Sequence, residues 1–181
     1  MYQGDNPKAI RSQKWIADAL LSIMKERPYN KITVRDICQK AELVRQTFYN
    51  CFDDKDDVLR FCLRNCYHEM FQKLNSKKNI LPSDITDCFA GIFETHRELL
   101  GLLIDQKLEW LISEEVTAAM QDFTSKVSPK EDSRTDKYAN AFLAGAMTQM
   151  IICWFKDNNR ISTNELSVFL LHILSGNYYK L

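Results

Sequence analysis

The sequence predicts an all-α protein, in which an N-terminal three-helix domain is followed by a helical bundle, with about nine helices in total. Apolar residues recur at three- and four-residue spacing over most of the 181-residue chain. Glycine and proline number only 5 and 4, which favours long helices over a sheet of many short strands. Because 45% of the residues are apolar, the chain can bury a hydrophobic core.

The helix boundaries follow from capping and turn residues. A first helix is predicted over 9–27 because Pro28 ends it, and Thr33 is the expected N-cap of the second, with Asp36 opposing its dipole. Ser162 begins an S-x-x-E capping box for the last helix. The later helices are predicted at 34–41, 44–52, 58–74, 83–127 with a break near Gly101, 134–156, and 163–175 with Gly176 as the stop.

Residues 31–52 predict a helix-turn-helix motif, because two short helical patterns are joined by almost no connection. Phe48 and Phe52 share one face of the second helix and would anchor it, since so short a helix is not stable alone. Its other faces carry Arg45, Gln46, Thr47, Tyr49 and Asn50. Short or planar polar groups of this kind can hydrogen-bond base edges in a DNA major groove. An ordinary surface helix shows the same pattern, so spacing alone leaves both interpretations open.

The stretch TVRDICQKAELVRQTFYNCFDDKDDVL resembles the DNA-binding domain of the TetR family of bacterial transcription regulators, and the resemblance covers about residues 10–60. The matching positions are Thr33, Val34, Asp36, Ile37, Ala41, Thr47, Phe48, Tyr49, Phe52, Lys55 and Leu59. The resemblance implies a DNA-binding domain at 8–56 and a helical ligand-binding and dimerisation domain at 57–181. Phosphate contacts are implied for Thr33, Tyr49 and Lys55. Groove contacts are implied for Arg45, Gln46, Thr47 and Asn50.

Two residues depart from the pattern of that family. Glu42 stands in the turn, where the family usually has glycine, and is expected to adopt a left-handed backbone at a cost of about 1 kcal/mol. Val44 stands where a small polar residue usually opens the recognition helix. Val44 removes the usual N-cap, and its methyl groups could contact a thymine methyl group.

The C-terminal pattern AFLAGAMTQMIICWF, followed by a turn and STNELSVFLLHIL, is similar to one branch of the family that includes regulators of dihydroxyacetone kinase operons. In the family the last two helices pair with those of a second subunit. This implies a homodimer interface at Ala141, Phe142, Gly145, Phe169, Leu170 and Ile173. Packing within one chain would show the same periodicity. A dimer is favoured because two recognition helices read two half-sites about one DNA turn apart.

The resemblance also implies a ligand pocket among the middle helices. The candidates are Phe89, Phe93, His96, Leu100, Trp110, Met120, Met147, Met150, Ile151 and Trp154. Aromatic and methionine stripes at helical spacing are more often hydrophobic core, so core packing is the stronger interpretation at any single position.

Other classes of function find little support in the residues. There is no phosphate-binding loop, metal-ligand cluster or Ser/His/Asp arrangement, so neither an enzyme, a metal nor a cofactor is expected. No apolar stretch is expected to reach a membrane span, and no signal peptide is evident. The six cysteines lack metal-site spacing and fit reduced thiols in a cytoplasmic protein, although Cys51 leaves a redox sensor open. Net charge is +2 over 1–60 and −2 over the remainder, which agrees weakly with an N-terminal DNA-binding part.

The sequence therefore predicts a transcriptional regulator that binds a near-palindromic operator as a homodimer. The first interpretation is a repressor that a small-molecule effector releases from DNA. The alternative is a helical regulator or coactivator that acts mainly through a protein partner, with weak or no effector binding.

Overall fold

The computed structural model describes residue 2 and residues 4–127 and 133–176, and within these ranges the chain forms nine α-helices and no strand. The helices are α1 Pro7–Met24, α2 Val34–Lys40, α3 Arg45–Cys51, α4 Lys55–Asn75, α5 Pro82–Thr95, α6 Arg97–Asp105, α7 Glu109–Val127, α8 Ser133–Lys156 and α9 Thr163–Leu174. A single 3-10 turn, Tyr29–Lys31, lies between α1 and α2. The predicted all-α class is confirmed.

Helices α1, α2 and α3 form the first part of the molecule, called the head below (residues 7–52). Two aromatic residues lie at the centre of their core: Phe48 in α3, which is 0% exposed, and Phe52 at the end of α3, which is 1% exposed. The two rings lie 6.0 Å apart, and Phe52 also meets Phe61 of α4 edge-on at 5.6 Å. The short α3 is therefore held by buried aromatic area, as its sequence predicts.

Helix α4 joins the head to the remainder of the chain, called the body below (residues 55–176). It packs on α1 in the head and on α5 and α7 in the body. Arg64 forms a two-pronged ion pair with Glu115 of α7 at 2.8 and 2.9 Å, and Glu115 is only 4% exposed. Arg60 donates to Glu114 at 2.9 Å. These pairs satisfy the buried carboxylate and tie α4 to α7.

Within the body, α8 packs along α7, α9 packs along α5, and α6 contacts α8. The centre is aromatic. Phe93 meets Trp154 edge-on at 5.4 Å and stacks near Phe155 at 6.1 Å, while Phe89 meets Phe93 at 5.2 Å. The indole of Trp154 donates to the Ile161 carbonyl at 2.7 Å, so its polar atom is satisfied.

Two helix breaks differ from the sequence prediction. The break predicted near Gly101 lies instead at His96, and Gly101 stands inside α6, where an added Cβ would touch the Phe155 ring at 3.7 Å. A second break at 106–108 separates α6 from α7 and was not predicted. It follows from the tertiary packing, because Leu108 turns inward to 6% exposure and its N–H donates to the Leu103 carbonyl at 2.8 Å.

Two helix ends in the described ranges use a left-handed residue other than glycine. Glu42 after α2 has φ 54° and Lys107 after α6 has φ 59°. At each end the following N–H reaches back to close a Schellman turn, with Leu43 donating to the Cys38 carbonyl at 2.9 Å. The left-handed backbone expected at Glu42 is confirmed, and Gly176 stops α9 with φ 70°.

Helix α8 corrects the expectation that no apolar stretch reaches the length of a membrane span. Residues Thr135–Lys156 are long and apolar enough to cross a membrane by length and composition, and 28% of that window is buried. The same helix buries Ala144, Ile151 and Trp154. A helix that packs in a bundle and keeps a second apolar face outward satisfies the same length test, so composition does not separate the two uses.

Candidate nucleic-acid interface

The N-terminus of α2 is a complete capping box. The Thr33 hydroxyl accepts from the Asp36 N–H at 3.2 Å, while the Thr33 N–H donates to the Asp36 carboxylate at 2.9 Å. These hydrogen bonds, helped by Arg27 at 3.3 Å, lower the pKa of Asp36 from 3.8 to about 2. Thr33 itself is exposed, so it stands at the surface.

The outer face of α3 is polar and internally paired. Arg45 lies over the Tyr49 ring at 5.9 Å, and the Gln46 amide donates to Asn50 at 3.0 Å. All four side chains are exposed, while Thr47 is half-buried. Four of these five residues are the ones that the sequence placed in the groove, and Tyr49 is the one that it placed at a phosphate. Helix α3 carries all five. Planar donors and acceptors of this kind can exchange their mutual hydrogen bonds for base edges.

The start of α3 has no side-chain cap. Val44 occupies the N-cap position with an extended backbone, forms no capping hydrogen bond and is 68% exposed. The Thr47 N–H instead donates to the Val44 carbonyl at 2.9 Å. An exposed β-branched apolar side chain therefore marks the N-terminal end of the recognition helix, as the sequence indicated.

The ammonium group of Lys55 is directed toward the protein, although the sequence predicted that it contacts a DNA phosphate. Its ammonium donates to the carbonyls of Tyr29 and Ile32 at 2.7 and 2.9 Å and lies 4.1 Å from the centre of the Tyr29 ring. Partial burial lowers its pKa. Two of the three ammonium donors thus orient the turn before α2, which leaves one donor for a phosphate. The DNA role of Lys55 stays a prediction.

Aspartates stand at the start of α4, at the N-cap and in the first turn. Asp54 is the N-cap and accepts from the Asp57 N–H at 2.7 Å. Asp56 accepts from the Tyr29 hydroxyl, which is a link that the sequence did not indicate. In the described ranges no cluster of three or more His, Cys, Asp or Glu could hold a metal ion.

Gln106 makes a further contact between head and body that the sequence missed. Its amide oxygen accepts from the Tyr29 N–H at 2.9 Å, and its amide nitrogen donates to the Met24 carbonyl at 3.0 Å. Met24 is the last residue of α1 and Tyr29 the first of the 3-10 turn that follows it, and backbone groups at such ends have no partner within their own helix. Lys25 and Glu98 add an exposed ion pair nearby. A glutamine carries no local signal for such a contact, because the partners are 77 and 82 residues away.

The residues predicted to line a ligand pocket divide into three groups. Phe89, Phe93 and Trp154 are buried and fill the body core with ring contacts. Trp110 is 43% exposed and lies under the Arg60 guanidinium at 5.5 Å, at the α4–α7 junction. The remaining candidates are buried or half-buried: His96, Leu100, Met120, Met147, Met150 and Ile151. The pocket stays a prediction, and core packing is the role that these contacts display for the aromatic residues.

One groove of about 180 Å³ lies between α4 and α5. Among the predicted pocket residues it takes in His96, whose ring nitrogen lies 3.2 Å from the Glu69 carboxylate. The other lining residues are Cys66, Met70, Lys73, Asp87, Cys88, Gly91, Ile92 and Thr95. The sequence did not single out this combination, because it comes from the facing sides of two helices.

Most of the residues predicted for a dimer interface are exposed. Phe142 is 74% exposed, Ile173 is 38% exposed, and Ala141 and Gly145 are exposed. Phe169 is half-buried and Leu170 is 8% exposed, so these two also contribute to the core of their own chain. Other apolar side chains exposed on the same two helices are Tyr138, Val168 and Leu174.

The cysteines are free thiols throughout the part of the chain that the structure describes. Burial raises the pKa of Cys62 and of Cys66 to about 12, and it also raises the pKa of Cys51. Thiolates are therefore disfavoured at these positions. Cys51 is 2% exposed, which makes it a poor redox sensor.

Comparisons of sequence and of fold with known proteins point to the same family. Residues 16–61 match the family of bacterial regulatory proteins of the tetR type. A 63-residue segment is 40% identical to the HTH-type dhaKLM operon transcriptional activator DhaS of Lactococcus lactis subsp. lactis strain IL1403. That alignment spans 35% of this chain and only 34% of the relative, about a third of its length.

Similarity in fold extends over nearly the whole chain. The crystal structure of Lin0861 from Listeria innocua has a TM-score of 0.81 at 13% identity, over 97% of this chain and 96% of that one. A structure of the dihydroxyacetone kinase operon activator DhaS has a TM-score of 0.59 at 21% identity, over 92% and 96% of the two chains. At these identities the likeness concerns the fold, and it includes the C-terminal helices.

Proposed function

We propose that this chain, which belongs to the TetR family of bacterial transcriptional regulators and binds DNA through its helix-turn-helix, acts as a homodimer on a near-palindromic operator. Regulatory proteins of this family are not enzymes. The observation that carries the proposal is the outer face of α3. It displays Arg45, Gln46, Tyr49 and Asn50 to solvent over a fully buried anchor, Phe48.

Each polar residue of α3 has a partner type in the major groove. Arginine suits guanine O6 and N7, whereas glutamine and asparagine suit adenine N6 and N7. Thr33 and Tyr49 flank this surface and would contact phosphates, with the third ammonium donor of Lys55. One α3 reads few base pairs, so a useful operator requires two copies of the head about one DNA turn apart.

The second copy is proposed to bind at α8 and α9. Monomeric proteins rarely leave several large apolar side chains exposed on adjacent elements, and such patches mark interaction sites. Phe142 is 74% exposed, the highest exposure among the large apolar side chains of α8. Ala141 and Gly145 beside it would let a partner helix approach closely, since an added Cβ at Gly145 would meet nothing within 4 Å in its own chain.

The sign of regulation has two candidates. In the first, the dimer represses by occupying the promoter in the cytoplasm, and an effector bound to the body releases it by favouring another arrangement of the heads. The second candidate is activation, and the observation that favours it is the name of the 40% identical relative, a transcriptional activator. A reporter driven by the chain's own promoter distinguishes them, because deletion of the gene raises expression under repression and lowers it under activation.

The decisive experiment is fluorescence anisotropy of the purified protein with DNA from just upstream of its own gene. A shuffled duplex is the control, at near-physiological salt, because weaker salt lets phosphate contacts imitate specificity. We expect tight binding to the native duplex alone at two protomers per site. The double variant Gln46→Ala, Tyr49→Ala should lose specific binding and keep its helical circular dichroism. Unchanged affinity in that variant would overturn the assignment of α3.

A further inference from the structure

Val44, which directly precedes the recognition helix α3, has no part in the DNA contacts proposed above. Val44 is 68% exposed, the largest exposure of any large apolar residue of the head. It occupies the N-cap position of α3, yet it supplies no capping hydrogen bond. Serine, threonine, asparagine or aspartate would cap the helix there, so valine weakens the local structure. Local rules of this kind are broken most often at functional sites.

The neighbours of Val44 explain why it is available to DNA. Arg45 and Gln46 follow it directly, and each is paired with a residue one turn later, Tyr49 and Asn50. Val44 therefore precedes the polar surface and extends it at its N-terminal end. In helix-turn-helix proteins it is the N-terminal residues of the recognition helix that contact base edges.

The chemistry of the major groove then narrows the contact. Each base pair presents hydrogen-bond donors and acceptors there, and only the thymine C5-methyl group is apolar. Val44 has two methyl groups and no side-chain donor or acceptor. We propose that Val44 is a specificity-determining residue, which packs on a thymine C5-methyl group in each operator half-site. This inference rests on the proposed function, because it requires α3 to lie in the major groove.

The test removes the thymine methyl group without changing any hydrogen bond. The duplex from upstream of the gene is trimmed to the segment that the protein protects in footprinting. Each thymine of one half-site is then replaced in turn by deoxyuridine. Wild-type protein should lose affinity at one thymine position by roughly fourfold, the factor that corresponds to one buried methyl group. Replacement in both half-sites should give a loss of roughly fifteenfold.

The variant Val44→Ala removes the protein side of the proposed contact, as deoxyuridine removes the DNA side. It should bind the native duplex less tightly than wild type, and it should show no further loss when deoxyuridine replaces the sensitive thymine. Val44→Thr keeps one methyl group and should retain part of the sensitivity. Since the side chain is 68% exposed, the substitutions should leave the fold intact, which circular dichroism checks. Ile10→Ala, at a 50% exposed aliphatic residue of α1, is the matched control and should behave as wild type on every duplex.

Each outcome decides one question. Sensitivity to deoxyuridine that disappears in Val44→Ala supports the inference. Equal sensitivity to deoxyuridine in wild type and Val44→Ala, or the absence of any sensitive thymine, overturns the inference. The proposed function still stands in that case if wild type binds the native duplex specifically. Equal binding of wild type to the native and shuffled duplexes overturns the proposed function instead.

Discussion

The exposed face of α3 and the exposed face of α8 and α9 differ in what they present to solvent. On α3 the exposed side chains are polar and pair with each other, as Gln46 does with Asn50 at 3.0 Å. On α8 and α9 they are apolar, with Phe142 at 74% and Leu174 at 55% exposure. A polar surface that is already satisfied is stable in water and can exchange its hydrogen bonds for DNA. An apolar surface gains only by being covered, which favours a permanent protein partner.

The inward faces of the same elements show the converse. Phe48 of α3 is 0% exposed, and its burial holds a helix of seven residues that has no cap. Helix α8 has 24 residues and is anchored along α7 by several partly independent contacts. We therefore expect the stability of the head to depend on single buried residues, and the stability of the body to depend on its total buried area. The following experiments test this difference.

The largest effect is expected for Phe48→Ala. Removal of a fully buried phenylalanine side chain should lower the free energy of unfolding by about 3–5 kcal/mol. The loss should not depend on protein concentration, since the contacts lie within one head. Urea denaturation followed by circular dichroism measures it. A loss below about 1 kcal/mol would contradict the role of Phe48 as anchor.

Phe142→Glu should affect association and leave the protomer folded. Two phenylalanines leave the proposed interface of a dimer and two charges enter it, so the dimer dissociation constant should rise about a hundredfold or more. Sedimentation velocity over a concentration series measures this, with Phe142→Leu as the apolar control. An unchanged dimer would place the interface elsewhere.

Gln106→Met tests the contact between head and body. The substitution keeps the length of the side chain and removes both hydrogen bonds, to Tyr29 and to Met24. We expect a loss of about 1–3 kcal/mol in unfolding free energy, because two backbone groups lose their partner. Hydrogen exchange should accelerate at the Tyr29 amide. Gln72→Met, at an exposed glutamine of α4, is the control and should leave that exchange rate unchanged.

The smallest effect concerns pH. Hydrogen bonds from Thr33 lower the pKa of Asp36 to about 2 in the folded chain, below its ordinary value of 3.8. The carboxylate therefore stabilises the fold above pH 4, and this stabilisation disappears as the pH falls through 2. In urea titrations, the difference between wild type and Asp36→Asn should shrink over this range. A difference that stays constant with pH would contradict the capping role.

Local chemistry explains which features were predictable. The N-cap at Thr33 and the capping box at Ser162 need only residues three positions apart, and both form as the sequence indicates; at Thr33 the Asp36 carboxylate completes a capping box as well. The left-handed backbone of Glu42 was predictable from the resemblance, since glycine is the usual residue at that position, and it closes the end of α2. The break at His96 was misplaced to Gly101 because glycine is a weak local signal, and Gly101 stands inside α6 beside the Phe155 ring.

The candidate site divides in the same way. The polar surface of α3 was predictable because 3.6-residue periodicity separates Phe48 from the exposed residues. The inward orientation of Lys55 was not predictable, since its carbonyl partners Tyr29 and Ile32 lie 26 and 23 residues earlier. Aromatic residues such as Phe93 show the same periodicity whether they line a pocket or fill a core, so only their ring contacts identify the packing.

The sequence by itself determined most of the helices, the caps at Thr33 and Ser162 and the helix-turn-helix, because these depend on hydrogen bonds and apolar spacing within a few residues. It also determined that α8 and α9 have an apolar face. Only the tertiary structure decided that Gln106 ties the body to the head and that Phe142 stays uncovered by its own chain. Periodicity identifies which side of a helix avoids water, but contacts across 77 or 82 residues depend on how the whole chain packs.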